Sequence, residues 1–205
     1  MRIALIHTLL TRPGGGEKQA LRLAIELSGR GHKVELFTNA MDRDRCFPEL
    51  QARVKVNVVP PKNNLIGRTL SSLGHRLGMP GTLGRLEILS IAGAIPPGEF
   101  DLINCHNLSS NWAAWLAKRR LHIPVVWMCN EPPYWYYRAG ARKAVTFPFE
   151  FLFLNLFDKY TVKAADEIVV LSRNFETLVR KIYNRRAVVV RSGVDAAAFE
   201  KGDGG

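Results

Sequence analysis

The sequence has few cysteines and no long apolar run. Three cysteines occur among 205 residues, and none of them forms a Cys-x-x-Cys pair, which argues against a zinc site or a disulfide framework. This cysteine usage fits a reducing, cytoplasmic compartment. The longest apolar stretch, residues 145–157, is interrupted by Pro148, Glu150 and Asn155, so no segment is expected to span a bilayer.

Acidic residues are also scarce relative to basic ones. Lys and Arg number 29 against 18 Asp and Glu, a formal net charge of +11. This excess predicts an acidic partner: nucleic acid, anionic lipid or a phosphorylated substrate. Basic groups such as Lys118–Arg120 and Arg185–Arg186 follow no recognised nucleic-acid-binding motif, so a nucleic-acid-binding module is the remotest alternative and no nucleic acid is expected as a partner. For any single cluster, the alternative is ordinary solvated surface charge.

Two common nucleotide-binding fingerprints are missing. In the dinucleotide pattern G-x-G-x-x-G, Gly14 and Gly16 match, but Gln19 occupies the third glycine position. The second predicted strand ends at Thr38-Asn39, without the acidic residue that binds a ribose. No glycine is followed by Lys and Ser or Thr, which excludes a P-loop. The predicted strand tips carry no cluster of hard oxygen ligands, so we expect no metal and no cofactor.

Three consecutive glycines, Gly14 to Gly16, lie between the apolar run at residues 3–6 and an amphipathic helix that begins near Glu17. Unpaired N–H groups and the helix dipole make such a helix N-terminus a binding site for phosphate or another anion. The alternative is a tight strand-to-helix turn in which glycine supplies unusual dihedral angles. Three glycines at the first crossover favour a ligand loop formed by Gly14, Gly15, Gly16 and Glu17.

Apolar runs alternate with helical runs, which predicts an α/β fold with a doubly wound, mostly parallel, Rossmann-like sheet of about seven strands. Gly31 is expected to end the first helix and Ser172 to cap the last. The glycine- and arginine-containing stretch at residues 60–97 predicts short helices, which either lie on an anionic membrane surface or cover the sheet. The predicted strands cover residues 2–7, 34–38, 54–59, 102–105, 125–129, 168–171 and 187–191, and the predicted helices cover residues 17–30, 109–120, 149–164 and 174–183.

Polar residues follow two of the predicted strands. His106 and Asn107 come at the end of one, and Asn130 and Glu131 come at the end of the next. The carboxyl ends of parallel strands share one edge of a sheet, so these residues should face the same crevice as the glycine loop. A carboxylate there can bind sugar hydroxyls, act as a base or cap a helix. A lone histidine is more often structural than catalytic, but its place at a strand tip favours function.

Four stretches, in this order, resemble the N-terminal domain of a GT-B fold glycosyltransferase of the retaining family-4 type. The likeness extends over nearly the whole chain. The stretches are Gly14–Lys18, Gly29–Val34, Cys129–Pro133, and Ala165–Ser172 followed by Ser192–Asp195.

This resemblance implies roles for individual residues. It places the glycine loop, Gly15 and Gly16 above all, against the donor diphosphate and the acceptor. The family often carries a histidine near the transferred sugar where this chain has Asn130, so the candidate catalytic residues are Asn130, Glu131 and His106. Gly193 and Asp195 are implied as an interdomain hinge, with an acceptor-binding domain at residues 1–195 and the start of a linker at residues 196–205.

The resemblance also implies the reaction: retaining transfer of a hexose from a nucleotide sugar to a lipid-linked or glycan acceptor. The family's nucleotide-sugar site lies mainly in a C-terminal domain marked by two glutamates eight positions apart, and no such pair occurs here. We therefore expect the acceptor-binding half of an enzyme, inactive without a donor domain: a truncated frame, an isolated domain or a subunit of a split enzyme. It would be cytoplasmic, with peripheral contact to an anionic membrane as a further expectation. The alternative is a non-catalytic binding subunit of a split glycosyltransferase.

Overall fold

In the computed structural model, the continuous apolar runs form strands and the amphipathic runs between them form helices. The structure describes residues 1–60, 86–130 and 148–193. The strands are β1 (Arg2–His7), β2 (Leu9–Leu10), β3 (Lys33–Thr38), β4 (Ala40–Met41), β5 (Lys55–Val58), β6 (Leu102–His106), β7 (Val125–Met128), β8 (Glu167–Val170) and β9 (Val188–Val189). The helices are α1 (Gly15–Gly29), α2 (Pro48–Gln51), α3 (Ser90–Ala94) after a 3-10 turn at Glu87–Leu89, α4 (Ser110–Leu121), α5 (Pro148–Val162) and α6 (Arg173–Tyr183).

Among the described residues, the main sheet has seven strands in the order β5-β3-β1-β6-β7-β8-β9, and the neighbouring strands are all paired in parallel. From β1 the chain builds outward through β3 and β5, then returns to the other side of β1 at β6 and continues outward to β9. Strands β1 and β6 therefore form the switch point of a doubly wound sheet. The predicted fold class is confirmed.

Strand β1 contributes to hydrophobic clusters on both faces of the sheet. Ile3 and Leu5 pack in the cluster that α1 covers. Ala4 and Ile6 pack in the larger cluster, which includes Trp112 of α4. Burial on both faces explains why this strand is continuously apolar rather than alternating.

The predicted ends of two helices are confirmed. Gly31 follows α1 with a φ of +84°, and its N–H donates to the Ser28 carbonyl at 3.0 Å. This left-handed conformation closes the C-terminus of α1 and favours glycine. Ser172 caps α6, because its Oγ accepts a hydrogen bond from the Phe175 N–H at 3.3 Å.

For residues 60–97, the sequence predicted short helices that either lie on a membrane surface or cover the sheet. The described part of this stretch covers the sheet. Ile88, Ile91 and Ile95 are buried in the cluster that includes Trp112 of α4. Residues 61–85 of that stretch lie outside the described residues. Within the described ranges, no helix combines the length and the apolar character needed to cross a membrane.

Candidate functional site

A cavity of about 490 Å³ opens at the carboxyl edge of the sheet, beside the switch point. Strand ends and the first turns of two helices contribute to its walls. Asn107 and Leu108 follow β6, Asn130 follows β7, Gly16 lies in the first turn of α1, and Phe175 lies in the first turn of α6. This is the edge at which the sequence predicted a ligand site.

The glycine loop brings an uncapped helix N-terminus to this cavity. Gly14 is the N-cap of α1 and provides no side-chain cap. The first helical hydrogen bond runs from the Lys18 N–H to the Gly14 carbonyl at 3.0 Å, so the N–H groups of Gly15, Gly16 and Glu17 precede it. Such N–H groups, with the positive end of the helix dipole, suit an anion. The Glu17 carboxylate lies directly against Gly14.

Of the two glycines inside the first turn, only Gly16 is sterically required. A Cβ at Gly16 would overlap Asn107 Nδ2 and lie 3.0 Å from Asn107 Oδ1. A Cβ at Gly15 would meet no atom within 4 Å. The close approach of the Asn107 amide therefore explains why residue 16 is a glycine, whereas the space beside Gly15 could accept a Cβ.

Asn107 is held firmly in the left-handed region, with a φ of 67°. Its N–H donates to the Met128 carbonyl at 3.2 Å. Its own carbonyl accepts from Ser110 Oγ at 2.8 Å and from Trp127 Nε1 at 3.2 Å. Backbone contacts to two neighbouring elements thus fix the direction of its side chain.

The Asn107 amide connects the tips of β1 and β7. Its Nδ2 lies 2.9 Å from His7 Nε2, and its Oδ1 accepts a hydrogen bond from Asn130 Nδ2 at 2.7 Å. The sequence analysis placed Asn107 at a strand tip without assigning it a role, and it did not single out His7. The available signal was that the first and fourth predicted strands both run into a histidine, and these two strands are neighbours in the doubly wound order 3-2-1-4-5-6.

Both histidines at the switch point are buried and favour the neutral form. His7 and His106 are register partners across β1 and β6. Burial lowers the pKa of His7, opposed by the charge of Glu17 and by the hydrogen bond to the Leu9 carbonyl. Burial, with a smaller contribution from His7, lowers the pKa of His106 to about 3. His106 is completely buried and bonds Asn104 Oδ1 through Nε2 at 2.7 Å.

The structure brings most of the predicted site residues to one edge. The glycine loop, Glu17, His106 and Asn130 gather around the ends of β1, β6 and β7, and their roles in chemistry remain predictions. Gly193 is exposed at the end of a segment that contacts α1, because Gln19 Nε2 donates to Ser192 Oγ at 3.0 Å. Glu131 and Asp195 lie outside the described residues.

Acidic residues in the described ranges do not assemble a metal centre. No group of three His, Cys, Asp or Glu side chains there is placed to hold an ion. In the sequence Asp42-Arg43-Asp44, Asp42 Oδ1 accepts hydrogen bonds from the N–H groups of Asp44 and Arg45, both at 3.0 Å. This carboxylate stabilises a turn. The three cysteines are buried and form no disulfide bond with one another.

A doubly wound parallel sheet with a glycine loop at its switch point defines a Rossmann-like α/β domain. The sequence model of Glycosyltransferase Family 4 matches residues 13–198. The chain therefore belongs to Glycosyltransferase Family 4, which confirms the resemblance seen in its motifs.

Individual relatives agree with this assignment. The D-inositol 3-phosphate glycosyltransferase of Stackebrandtia nassauensis is 33% identical over 132 residues, 60% of this chain and 29% of that protein. The enzyme of the same name from Mycolicibacterium vanbaalenii is 26% identical over 97% of this chain and 44% of that protein. The chain thus spans less than half the length of these curated relatives.

Among solved structures, Anabaena HepE in complex with UDP and glucose superimposes with a TM-score of 0.63. The match covers 95% of this chain and 45% of HepE at 15% sequence identity. At this identity the likeness establishes the fold alone, a GT-B-type α/β domain.

Proposed function

We propose that this chain is the acceptor-binding half of a retaining hexosyltransferase that uses a nucleotide sugar. The observation that carries the proposal is the cavity at the switch point, where the uncapped N-terminus of α1 faces polar side chains from the strand tips. Membership of Glycosyltransferase Family 4 supports the reaction class. The complex of HepE with UDP and glucose supports a nucleotide sugar as the donor.

In this proposal the N–H groups of Gly15 and Gly16 meet negative charge on the donor diphosphate or on the acceptor. The Glu17 carboxylate is negative, so it would repel a phosphate but can accept a hydrogen bond from a hydroxyl group. Asn130 and Glu131 are the candidates beside the transferred sugar. In this proposal Gly193 and Asp195 belong to the hinge that leads into a donor domain. Neither metal nor cofactor is required, because the helix dipole and cations of the partner domain would offset the leaving-group charge.

Transfer by the whole enzyme would need that donor domain. We expect the purified chain to release no UDP from UDP-glucose in the presence of a polyprenyl-phosphate acceptor, and we expect transfer when a donor domain is supplied in cis or in trans. Turnover by the chain alone would contradict the half-enzyme proposal. Acceptor binding without turnover, even with a donor domain present, would favour a non-catalytic binding subunit.

A membrane-linked acceptor is supported by the outer face of α5. Phe149, Leu152, Leu156 and Tyr160 recur at helical spacing on this face and are 70%, 55%, 60% and 45% exposed. Arg119 Nη2 donates to Tyr160 Oη at 2.7 Å at the edge of the stripe. An apolar stripe beside basic side chains suits an anionic, cytosolic membrane surface.

Co-sedimentation with liposomes tests this membrane contact. Binding should rise with the fraction of anionic lipid, fall with salt, and fall several-fold in the variant Leu156→Glu. Val188→Glu introduces the same charge at an exposed residue of the edge strand β9 and should bind like the wild-type chain. Equal binding of both variants, or no binding at any composition, would leave a soluble acceptor such as the D-inositol 3-phosphate of the relatives' names as the better candidate.

A further inference from the structure

A side-chain hydrogen bond ties the segment after β9 to helix α1. The backbone of Val190 still pairs with β8, because its N–H donates to the Val170 carbonyl at 2.8 Å. The next residues, 191–193, are exposed and belong to no helix or strand. Within them, Ser192 Oγ accepts a hydrogen bond from Gln19 Nε2 at 3.0 Å. We call residues 191–193 the strap and this hydrogen bond the latch.

The latch lies one helical turn from the glycine loop. Gln19 follows Gly16 by three residues in α1, so the two residues are on the same side of the helix, and Gly16 lines the cavity. Gln19 also stands at the third glycine position of the dinucleotide pattern, where a glycine allows close packing of helix and strand. Here the longer side chain reaches the strap instead.

The latch satisfies only one end of the Gln19 amide. Gln19 Oε1 is buried and has no hydrogen-bond partner among the residues that the structure describes. Rotating the amide by half a turn does not help, because the Ser192 hydroxyl would then donate to Oε1 and Nε2 would become the buried, unpaired group. Such a group is unfavourable, and a released side chain can turn into water. The closed and open states of the strap are therefore close in free energy.

The first turn of α1 is the part of the helix that the latch can stabilise. This turn has no side-chain cap, and helix ends fray. Its consecutive glycines raise the entropy that is lost when the turn becomes ordered. A side chain fixed at Gln19 restrains the turn from one side, and an anion on the N–H groups of Gly15 and Gly16 would restrain it from the other. Either restraint lowers the ordering entropy that remains for the second one.

We propose that the strap is a conformational latch coupled to the anion site: it is held on Gln19 when an anion orders the first turn of α1, and it opens more often when the site is empty. This inference rests on the proposed function, because the anion is the phosphate group of that proposal. The strap ends at Gly193, which the proposed function assigns to the hinge. Occupancy of the anion site would therefore bias the direction of the hinge.

Backbone ¹⁵N relaxation of the purified chain measures the latch without turnover or a donor domain. Gln19→Ala and Ser192→Ala each remove one partner, and in both variants the order parameters of the amides at positions 192 and 193 should fall below about 0.6, the range of flexible chain. Ser28→Ala is the matched control, because it truncates an exposed polar side chain of the same helix. It should leave the strap as in the wild type. Unchanged order parameters in both latch variants would overturn the latch.

The double variant Gln19→Ala/Ser192→Ala shows whether the two side chains act through each other. Its strap should be no more mobile than the strap of either single variant, because the second substitution removes a partner whose contact is already lost. Ser28→Ala combined with Ser192→Ala should match Ser192→Ala alone. Additive effects of the Gln19 and Ser192 substitutions would overturn the latch even if each single variant loosens the strap.

Titration with inorganic phosphate tests the coupling. Phosphate should raise the order parameters of the strap in the wild type but not in Gln19→Ala, and Gln19→Ala should bind phosphate several-fold more weakly, since coupling between two binding events is reciprocal. Equal phosphate affinities of the two proteins would overturn the coupling while leaving the anion site of the proposed function intact. Absence of phosphate binding by the wild type would refute that anion site and the coupling with it, whereas the order parameters would still decide whether the latch exists.

Discussion

Helices α1 and α6 begin beside the same cavity with almost the same backbone geometry and different side chains. Gly14 has φ −151° and ψ 165°, and Ser172 has φ −151° and ψ 160°. Ser172 uses its hydroxyl to accept the N–H of Phe175, whereas Gly14 has no side chain to do so. The difference is that a side chain caps one N–H in the first turn of α6, while the first turn of α1 has no side-chain cap and borders the cavity through Gly16. In the proposed function, that first turn of α1 binds the anion.

The far end of α6 is fixed by a side-chain hydrogen bond. Tyr183, the last residue of α6, donates through Oη to Asp158 Oδ2 at 2.6 Å. Asp158 is completely buried and also accepts from Trp112 Nε1 at 3.0 Å. Helix α6 is therefore held by a hydrogen bond to a buried carboxylate. We expect substitutions in α6 to change the stability of the fold rather than ligand binding.

The largest effect is expected at Gly16. Gly16→Ala should lower the free energy of unfolding by about 2 kcal/mol, because the new methyl group overlaps the Asn107 amide, which is held in place by hydrogen bonds. The same variant should lose the NMR shifts that inorganic phosphate is expected to induce in the backbone amides of the first turn of α1. Gly15→Ala is the control, since its methyl group enters open space and should cost no stability. Equal urea midpoints for the two variants would show that Asn107 moves aside easily.

Acid should lower the free energy of unfolding, because His106 is buried in its neutral form. The pKa of His106 is lowered to about 3 in the folded state, so the unfolded state binds more protons between pH 6.5 and 3, and stability is lost as the pH falls through that range. From pH 6.5 to 5 the loss should be on the order of 2 kcal/mol. His106→Gln should flatten this dependence in urea titrations, because glutamine has no titratable group. A profile of His106→Gln that is parallel to the wild-type profile would contradict the assignment.

Removing the α6 cap should have a moderate effect on stability alone. Ser172→Ala deletes the hydroxyl that accepts the Phe175 N–H and should cost about 1 kcal/mol. Thermal unfolding measures this loss, and phosphate titration of the same variant should give the wild-type affinity. Weaker phosphate binding would mean that α6, too, has a ligand-binding N-terminus.

The smallest effect tests the comparison most directly, by placing the α6 cap on α1. Gly14→Ser should raise stability by a few tenths of a kcal/mol, because the hydroxyl can accept a first-turn N–H. The added Cβ displaces only the end of the flexible Glu17 side chain. Since the hydroxyl would compete with an anion, phosphate should bind more weakly by NMR titration. Unchanged binding would place the anion elsewhere in the cavity.

Sequence patterns predicted the elements that depend on local chemistry. The main strands were found because burial on both faces demands continuous apolar runs, and the ends of α1 and α6 were found because Gly31 and Ser172 have local conformational or capping roles. The two-residue strands β2 and β4 and the single-turn helix α2 were not predicted, because such short elements have no periodicity of their own. The sequence did not show which aromatic residues of α5 pack in the core and which are exposed. Phe153 and Phe157 pack against the core, whereas Phe149 is exposed.

By itself the sequence determined the fold class, the family and the presence of a glycine loop at the first crossover, because these are carried by local patterns and ordered motifs. The tertiary structure decided which glycine is indispensable and which groups meet at the cavity. His7 and Asn107 are 100 positions apart, and their contact depends on β1 and β6 becoming neighbours in the sheet. A network that joins strand tips is set by strand order and register, which no local segment encodes.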